Sequence, residues 1–265
     1  MAKKISDLAA ATALDGTELL EAVQGGVNVK ALLGALVPPG YLDGLQLQWV
    51  NGTALTVTSG AAYISSLGRV LRVPNAITKN GIVLTASAWY HVYLLFNGAS
   101  VDIEVVTTAP AAPYNGVARA KTGDASRRYL GSVRTNASAQ ITKFYHDPIH
   151  DRVMYLTDIN DPNLMVLSNG QAASAFTSVS MATGMPPTAR LASIFCENSD
   201  TANYVSVNNS ESTVPTADIL FYVRPVKQPL VAEVITSSNQ AIQYRYQGAP
   251  SGGFTIWITG YTYER

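Results

Sequence analysis

The chain after residue 40 is built from short segments that alternate apolar and polar side chains and are separated by turn residues. The clearest pair is Trp89–Phe96 and Val101–Val105, which Asn97-Gly98 separates. Asn-Gly readily adopts the positive φ angles of a tight hairpin turn. Period-two alternation predicts that Ile103 and its apolar neighbours face inward, while Asp102 and Glu104 face water. Trp89–Phe96 is apolar on both faces, which is typical of a central strand.

Other segments of the same type continue through the sequence, and no long helical period interrupts them. We expect strands at 54–58, 69–73, 82–85, 129–133 and 141–145, then at 192–195, 219–223, 232–235, 242–246 and 254–259. Many short strands without helical segments favour an all-β fold. Asp147-Pro148 stops the first set, because proline cannot donate to a sheet ladder. We predict two antiparallel, jelly-roll-like β-sandwich domains at 41–148 and 171–265, with a linker at 149–170.

Residues 1–40 have a different sequence pattern, with small apolar groups at short intervals. Each fragment is too brief to bury its own apolar face, since isolated helices below about 12–15 residues are marginal in water. This segment is therefore predicted to dock onto a partner. The candidate docking residues are Ile5, Leu8, Leu14, Leu19, Leu20, Val23, Val27 and Val29.

The composition excludes some functions. Lys and Arg together equal Asp and Glu in number, so no broad positive field attracts nucleic acid or an anionic membrane. The longest apolar stretches are far below the ~20 residues of a spanning helix, which argues against membrane insertion. Charged residues make up only 14% of the chain, against about 25% in typical soluble proteins. Some uncharged surface is therefore expected to meet another copy of the chain.

Chemical signatures are weak. Cys196 is the only cysteine, which excludes an intrachain disulfide and predicts a buried small hydrophobe. His146 and His150 would lie on one face of a strand and could share a metal between subunits, although a solvated loop is the favoured interpretation. Asp158-Ile-Asn160-Asp161 has oxygen ligands suited to calcium, but such clusters more often make turns. No hydrolase motif is present, so we predict no catalytic site, cofactor or metal.

Tyrosine is unusually common, with fourteen tyrosines against six phenylalanines. Rings with a polar tip are preferred at partner-facing surfaces. Five aromatic residues concentrate near the end of the sequence and are predicted to contact a receptor or another subunit, with packing and subunit contact favoured. They are Tyr244, Tyr246, Trp257, Tyr261 and Tyr263. Alternation places Phe254, Ile256 and Ile258 on one side of their strand and Trp257 on the other.

Three stretches resemble bacteriophage tail-fibre and receptor-binding appendage proteins. The N-terminal pattern from Ile5-Ser-Asp-Leu8 to Val23-Gln-Gly-Gly-Val27 resembles their virion-attachment end, Trp89–Phe96 with the segments from 127 to 144 resembles a β-sandwich module, and 179–190 resembles the entry to a C-terminal β-domain. The resemblance implies a non-enzymatic homotrimer in the virion, assembled in the host cytoplasm. Residues 1–40 would bind other tail or baseplate proteins.

The resemblance also implies that the distal part contacts a host surface glycan or protein. A baseplate, collar or head-decoration protein with a purely structural role is the alternative. A glycan depolymerase is a third hypothesis, which the short chain and the lack of acidic clusters disfavour. Fold analogy supports all three roles and cannot choose among them.

Overall fold

The computed structural model describes residues 19–32, 36–173, 175–211, 220–226 and 228–265, and within these ranges the chain is all-β without an α-helix. The first eleven strands are β1 (Leu19–Gln24), β2 (Val27–Leu32), β3 (Leu42–Gly44), β4 (Leu47–Asn51), β5 (Ala54–Val57), β6 (Gly60–Ile64), β7 (Arg69–Val73), β8 (Ile77–Lys79), β9 (Trp89–Phe96), β10 (Val101–Val106) and β11 (Ala120–Lys121). The other strands are β12 (Asp124–Arg134), β13 (Phe144–Asp147), β14 (Arg152–Tyr155), β15 (Met165–Gly170), β16 (Thr177–Ser180), β17 (Ala189–Asn198), β18 (Val205–Asn208), β19 (Phe221–Val223), β20 (Leu230–Ile235), β21 (Ala241–Tyr246) and β22 (Phe254–Tyr263). The all-β prediction is confirmed.

The strands form several antiparallel sheets. In the first part of the chain the sheet orders are β1-β2, β3-β6-β7, β4-β5-β8 and β10-β9-β12-β11. In the later part the orders are β13-β14-β22-β17-β20, with β15 also paired to β22, and β16-β21-β18-β19.

The predicted hairpin is confirmed as β9 and β10, with β9 as an interior strand of its sheet. Phe96 pairs with Val101, so the connection consists of residues 97–100 and is longer than a two-residue turn. Within it, Asn97 Oδ1 accepts the backbone N–H groups of Ala99 and Ser100 at 3.0 and 2.9 Å. Asp102 and Glu104 are only partly exposed, contrary to the expectation that they face water. Asp102 pairs with Lys79 at 2.7 Å, and Glu104 pairs with a lysine and an arginine of neighbouring segments.

The strand expected at 82–85 is not present, and this prediction is wrong. The segment is irregular, although two of its backbone N–H groups are hydrogen-bonded. Ile82 N donates to Thr53 O at 2.9 Å, and Thr85 N donates to the Tyr90 hydroxyl at 2.8 Å. The alternation is present in the sequence, but no strand of the described residues pairs with this segment to form a ladder.

Sheet pairing crosses the expected boundary at residue 148. β13 ends at Asp147 as predicted, yet β13 and β14 form a hairpin that pairs through β14 with β22. The segment 149–170, expected to be a linker, contains β14 and β15, and both strands pair with β22. The linker prediction is therefore corrected, because β22 supplies backbone partners that local sequence does not reveal.

The buried apolar residues form one continuous cluster that extends from Leu45 to Tyr263. In the later part of the chain, two sheets face each other across it. Buried Phe254 on β22 contacts buried Tyr244 on β21, with ring centroids 5.5 Å apart. The division into two sandwich domains stays a prediction, since the core is continuous across it.

β22 changes its inward face halfway along its length. Ile194 of β17 pairs with Ile258, but the preceding Ser193 pairs with Gly260, so Thr259 is an extra residue. This β-bulge reverses which alternate residues face the core. Phe254, Ile256 and Ile258 are buried before it, as predicted, and Tyr261 and Tyr263 are buried after it.

Candidate functional site

The first candidate surface is the hairpin of β1 and β2. Gly25 and Gly26 have φ angles of +60° and +81°, which fit a two-residue turn with both central residues at positive φ. The register pairs Leu20 with Ala31, Ala22 with Val29 and Gln24 with Val27. Directly opposed residues share a face, so this hairpin has one face that is almost entirely apolar.

That apolar face is not covered by the described part of the chain. β1 and β2 form a sheet of their own and pair only with each other. Leu20 and Val27 are 43% and 63% exposed, while Val29 is partly buried. Leu19 and Val23 are exposed on the other face. Ile5, Leu8 and Leu14, predicted with them as docking residues, lie outside the described residues.

The structure contradicts most of the aromatic contact surface that was predicted near the end of the sequence. Tyr244 and Tyr246 are buried in the core. The Tyr246 hydroxyl donates to Asn198 Oδ1 at 3.0 Å, and the Tyr244 hydroxyl accepts from Ala172 N at 3.3 Å. Both polar tips are satisfied inside the chain, so these rings offer no surface to a partner.

Tyr261 and Tyr263 are also buried, where β22 packs on β9 and β12. Their hydroxyls donate to Ser132 O at 3.0 Å and Leu130 O at 3.1 Å. With these two tyrosines, nearby rings form what we call the central aromatic cluster, whose members are Trp89, Tyr129, Tyr155, Tyr261 and Tyr263. Desolvation raises the pKa of both hydroxyls of β22. These tyrosines act in packing, and the contact prediction is wrong for them.

Trp257 lies on the opposite face of β22, as alternation predicted. Its ring packs against Phe195 on β17, with centroids 5.4 Å apart, and the register continues this row to Val231 on β20. β20 is an edge strand, on which Val231 and Ile235 are 71% and 56% exposed. This outer apolar row, Trp257, Phe195, Val231 and Ile235, is a second candidate contact surface.

A polar network lies inside the fold beside the central aromatic cluster. His91 Nδ1 and the Tyr129 hydroxyl each lie 2.7 Å from Ser132 Oγ, and Tyr129 also contacts Thr188 Oγ1 at 2.9 Å. Burial lowers the pKa of His91 from 6.5 to about 4, so its imidazole is neutral near pH 7. These side chains are almost fully buried, and their hydrogen bonds link β9, β12 and the segment before β17.

His146 and His150 are not brought together. His146 is buried on β13, where its Nδ1 accepts from Leu47 N at 3.0 Å and its Nε2 lies 3.6 Å from Asp151. His150 is exposed in the turn before β14 and contacts Asp147 at 2.8 Å. The strand geometry that would align the two rings ends at Asp147, so the shared-metal hypothesis is wrong for this chain.

The remaining sequence candidates are structural. Asp158 and Asp161 each accept a backbone N–H two residues later, at 2.9 Å in both cases, which is the turn arrangement favoured above. Cys196 is buried, as predicted, and desolvation raises the pKa of its thiol to about 12. Among the described residues, no group of three or more His, Cys, Asp or Glu side chains is placed to hold a metal.

Sequence reasoning missed an exposed aromatic pair: Tyr204, which directly precedes β18, and Tyr222 in β19. With Arg224 and Gln247 they line a cavity of about 480 Å³. The signal was available for Tyr222, because alternation in the expected strand 219–223 places it opposite in direction to Phe221 and Val223. Tyr204 lies in a loop-like stretch that local patterning does not assign.

Within the described ranges, no helix has the length and apolar character that crossing a bilayer requires. No protein-family model matches the chain, and no curated protein sequence matches it.

Proposed function

We propose that this chain is a non-enzymatic structural protein of a bacteriophage particle, most specifically a tail fibre or receptor-binding protein that contributes to host adsorption. Residues 1–40 would attach it to tail or baseplate proteins, and the β-body would be displayed outward. The observation that carries the proposal is the uncovered apolar face of the β1–β2 hairpin.

The physical basis is that a two-stranded hairpin is at best marginally stable alone in water. β1 and β2 gain no third strand from the described body, and the face that contains Leu20, Ala22 and Val29 has no charged residue. Glu21 and Lys30 oppose each other on the other face. The face without charge is thus suited to burial against another polypeptide, whereas the other face mixes exposed Leu19 and Val23 with this charged pair.

A homotrimer is the proposed assembly, and the outer apolar row supports self-association. Trp257, Phe195 and Val231 form a continuous line that reaches the open edge of β20. An edge strand with exposed apolar side chains is a ready site for pairing with another chain. Light scattering on the purified protein is expected to give three times the chain mass, and a stable monomer at micromolar concentration would contradict the trimer.

The attachment role is tested by incorporation into particles. Tagged full-length chain is supplied during phage growth, and purified particles are probed for the tag. Leu20→Glu combined with Val27→Glu places two charges on the apolar face, and we expect the tag to be lost from the particles.

Val83→Glu is the matched control, because Val83 is highly exposed in an irregular segment of the body. This variant should be incorporated like the wild type. Equal incorporation of the hairpin variant and the control would refute attachment through β1 and β2.

A baseplate, collar or head-decoration role remains the second candidate. Burial of Tyr244, Tyr246, Tyr261 and Tyr263 favours it, since these rings were the expected adhesive surface. The two roles differ in the effect of antibodies raised against residues 171–265. If such antibodies bind intact particles and adsorption to host cells is unchanged, the adhesive role fails and the scaffold role stands.

A further inference from the structure

Two exposed tyrosines lie beside each other on the outer face of the sheet β16-β21-β18-β19. Tyr204 and Tyr222 are 40% and 48% exposed. Val205 pairs with Val223, so continuing the register by one residue puts Tyr204 opposite Arg224 and diagonal to Tyr222. Side chains at diagonal positions stand about 7–8 Å apart, within reach for aromatic rings. The two rings can therefore act on one ligand.

Polar groups flank this pair. Gln247 N donates to Tyr204 O at 3.1 Å, which places the exposed Gln247 on the other side of Tyr204 from Arg224. Arg224 forms no ion pair with the residues that the structure describes. The cavity that these four side chains line, about 480 Å³, lies within the range of about 300–1,000 Å³ that is usual for ligand pockets.

Hydrogen bonds to Asp200 connect the segments that carry these side chains. The Asp200 carboxylate accepts N–H groups from Ala202 and Asn203 at 2.7 and 2.6 Å, and from Gly252 at 3.2 Å. Asp200 O accepts Val226 N at 2.7 Å. These bonds join the loop before Tyr204 to the segments after Arg224 and Gln247. A site held in this way loses little conformational freedom when a ligand binds.

We propose that Tyr204, Tyr222, Arg224 and Gln247 form a binding site for an acidic oligosaccharide. This inference rests on the proposed function and deepens it, since it names the ligand class of the adhesive body. A pyranose ring has one face of C–H bonds, which suits the electron-rich face of tyrosine. The guanidinium of Arg224 can bind a uronate carboxylate through two hydrogen bonds, and the amide of Gln247 can both donate to and accept from hydroxyls.

Nucleic acid fits the same surface poorly. Binding to a phosphate backbone draws on many cations along the strand, whereas Arg224 is the one charged side chain among the described residues that line this cavity. The formal net charge of the chain is zero. Two rings with one guanidinium and one amide match a short saccharide that has one acid group within the site.

The test uses the purified full-length chain and defined hexasaccharides. The acidic probes are hexamers of galacturonate, guluronate and hyaluronan, and the neutral probe is maltohexaose, each titrated by calorimetry and by ligand-observed NMR. We expect at least one acidic probe to bind with a Kd between about 10 µM and 1 mM, a range appropriate to a shallow, open site. No saturation by any acidic probe up to about 10 mM would overturn the proposal.

Variants locate the binding. Tyr204→Ala and Tyr222→Ala should each raise the Kd about tenfold, while the corresponding phenylalanine variants keep the stacking face and should bind within about twofold. Arg224→Gln should remove the preference for the acidic probe over maltohexaose. Tyr145→Ala is the control, because Tyr145 is similarly exposed on β13, in another sheet. Wild-type affinity in both alanine variants would place binding elsewhere and refute the proposed site.

The outcome is separable from that of the proposed function. If oligosaccharides bind at these tyrosines but the chain is absent from particles, the site stands and the virion role fails. If the chain is incorporated and no acidic probe binds, the virion role stands and the site fails.

Discussion

The β1–β2 hairpin and the second half of β22 both carry large apolar or aromatic side chains but expose them in opposite ways. Leu20 and Val27 on the hairpin remain exposed, whereas Tyr261 and Tyr263 on β22 are almost fully buried. Both regions were predicted to be contact surfaces from sequence alone. The difference is that β22 has strands on both sides and a sheet packed over it, while β1 and β2 pair with no other strand of the described residues.

The comparison teaches that exposure depends on what the rest of the chain brings to a segment. The tyrosine hydroxyls of β22 need hydrogen-bond partners once buried, and backbone carbonyls of β12 provide them. A polar tip on an aromatic ring is therefore as compatible with a packed interior as with a wet interface.

Removal of a ring from the central aromatic cluster should have the largest effect. Tyr261→Ala is expected to lower the free energy of unfolding by about 3–5 kcal/mol, the usual loss for deletion of a buried aromatic ring. Tyr261→Phe should lose about 1 kcal/mol, since only the bond to Ser132 O is removed. Urea denaturation measures both. A loss below about 0.5 kcal/mol in the alanine variant, as expected for exposed Tyr145→Ala, would mean that Tyr261 is not buried.

Acidification is expected to have the second largest effect, because it should lower the free energy of unfolding through protonation of His91. Burial lowers its pKa from 6.5 to about 4, so the unfolded chain takes up a proton before the folded chain does. The stabilisation from neutral His91 is complete above pH 6.5 and is lost as the pH falls towards 4. This loss amounts to about 3 kcal/mol, at about 1.4 kcal/mol for each pH unit.

The contribution of His91 is isolated by His91→Gln, which cannot take up this proton. The variant should show a shallower fall in unfolding free energy between pH 6.5 and 4 than the wild type. Parallel pH profiles in the two proteins would contradict the assignment to His91.

Added volume at the junction of β12 and β22 should have an intermediate effect. A Cβ atom at Gly131 would lie 2.6 Å from the Tyr263 hydroxyl oxygen and 2.7 Å from a methyl carbon of Leu47. Gly131→Ala is therefore expected to lower the free energy of unfolding by about 1–3 kcal/mol through overpacking. Gly98→Ala is a useful comparison, since a Cβ there meets no atom within 4 Å, although its positive φ adds some strain. An unchanged melting temperature in Gly131→Ala would show that the junction is loose.

Charges on the hairpin should have the smallest effect on folding. Leu20→Glu with Val27→Glu should change the free energy of unfolding of the body by less than about 0.5 kcal/mol, since no described strand of the body pairs with β1 or β2. A loss above 1 kcal/mol would indicate that the hairpin packs on its own body, and the contrast with β22 would then fail.

Local patterns predicted local structure well. The β9–β10 hairpin and β7 at 69–73 follow from alternation and turn residues, and β13 ends at Asp147 where Pro148 predicted it. The apolar residues between Leu19 and Val29 were predicted to need a partner, but their arrangement as the strands β1 and β2 was not predicted. The strand predicted at 82–85 is absent, because a strand needs a neighbouring strand to pair with as well as alternating side chains.

Long-range features were beyond local reasoning. The bulge at Thr259 adds one residue to β22, which reverses the direction of Tyr261 and Tyr263, and no residue type at that position predicts it. The pairing of β14 with β22 likewise depends on residues about a hundred positions apart. Of the proposed saccharide site, only Tyr222 could have been found from alternation, since Tyr204, Arg224 and Gln247 meet through three separate segments.

The position of β22 has a consequence for how the protein is made. A ribosome releases the hairpin of β13 and β14 well before it has synthesised the strand that covers its edge, and the Tyr261 hydroxyl meets Ser132 across a separation of 129 residues. Pairings between such distant residues slow folding, because the entropy cost of closing a long loop comes before the contacts that offset it. During that interval an open strand edge is accessible to aggregation, so we expect the yield of native protein in cells to depend on temperature and on chaperone supply.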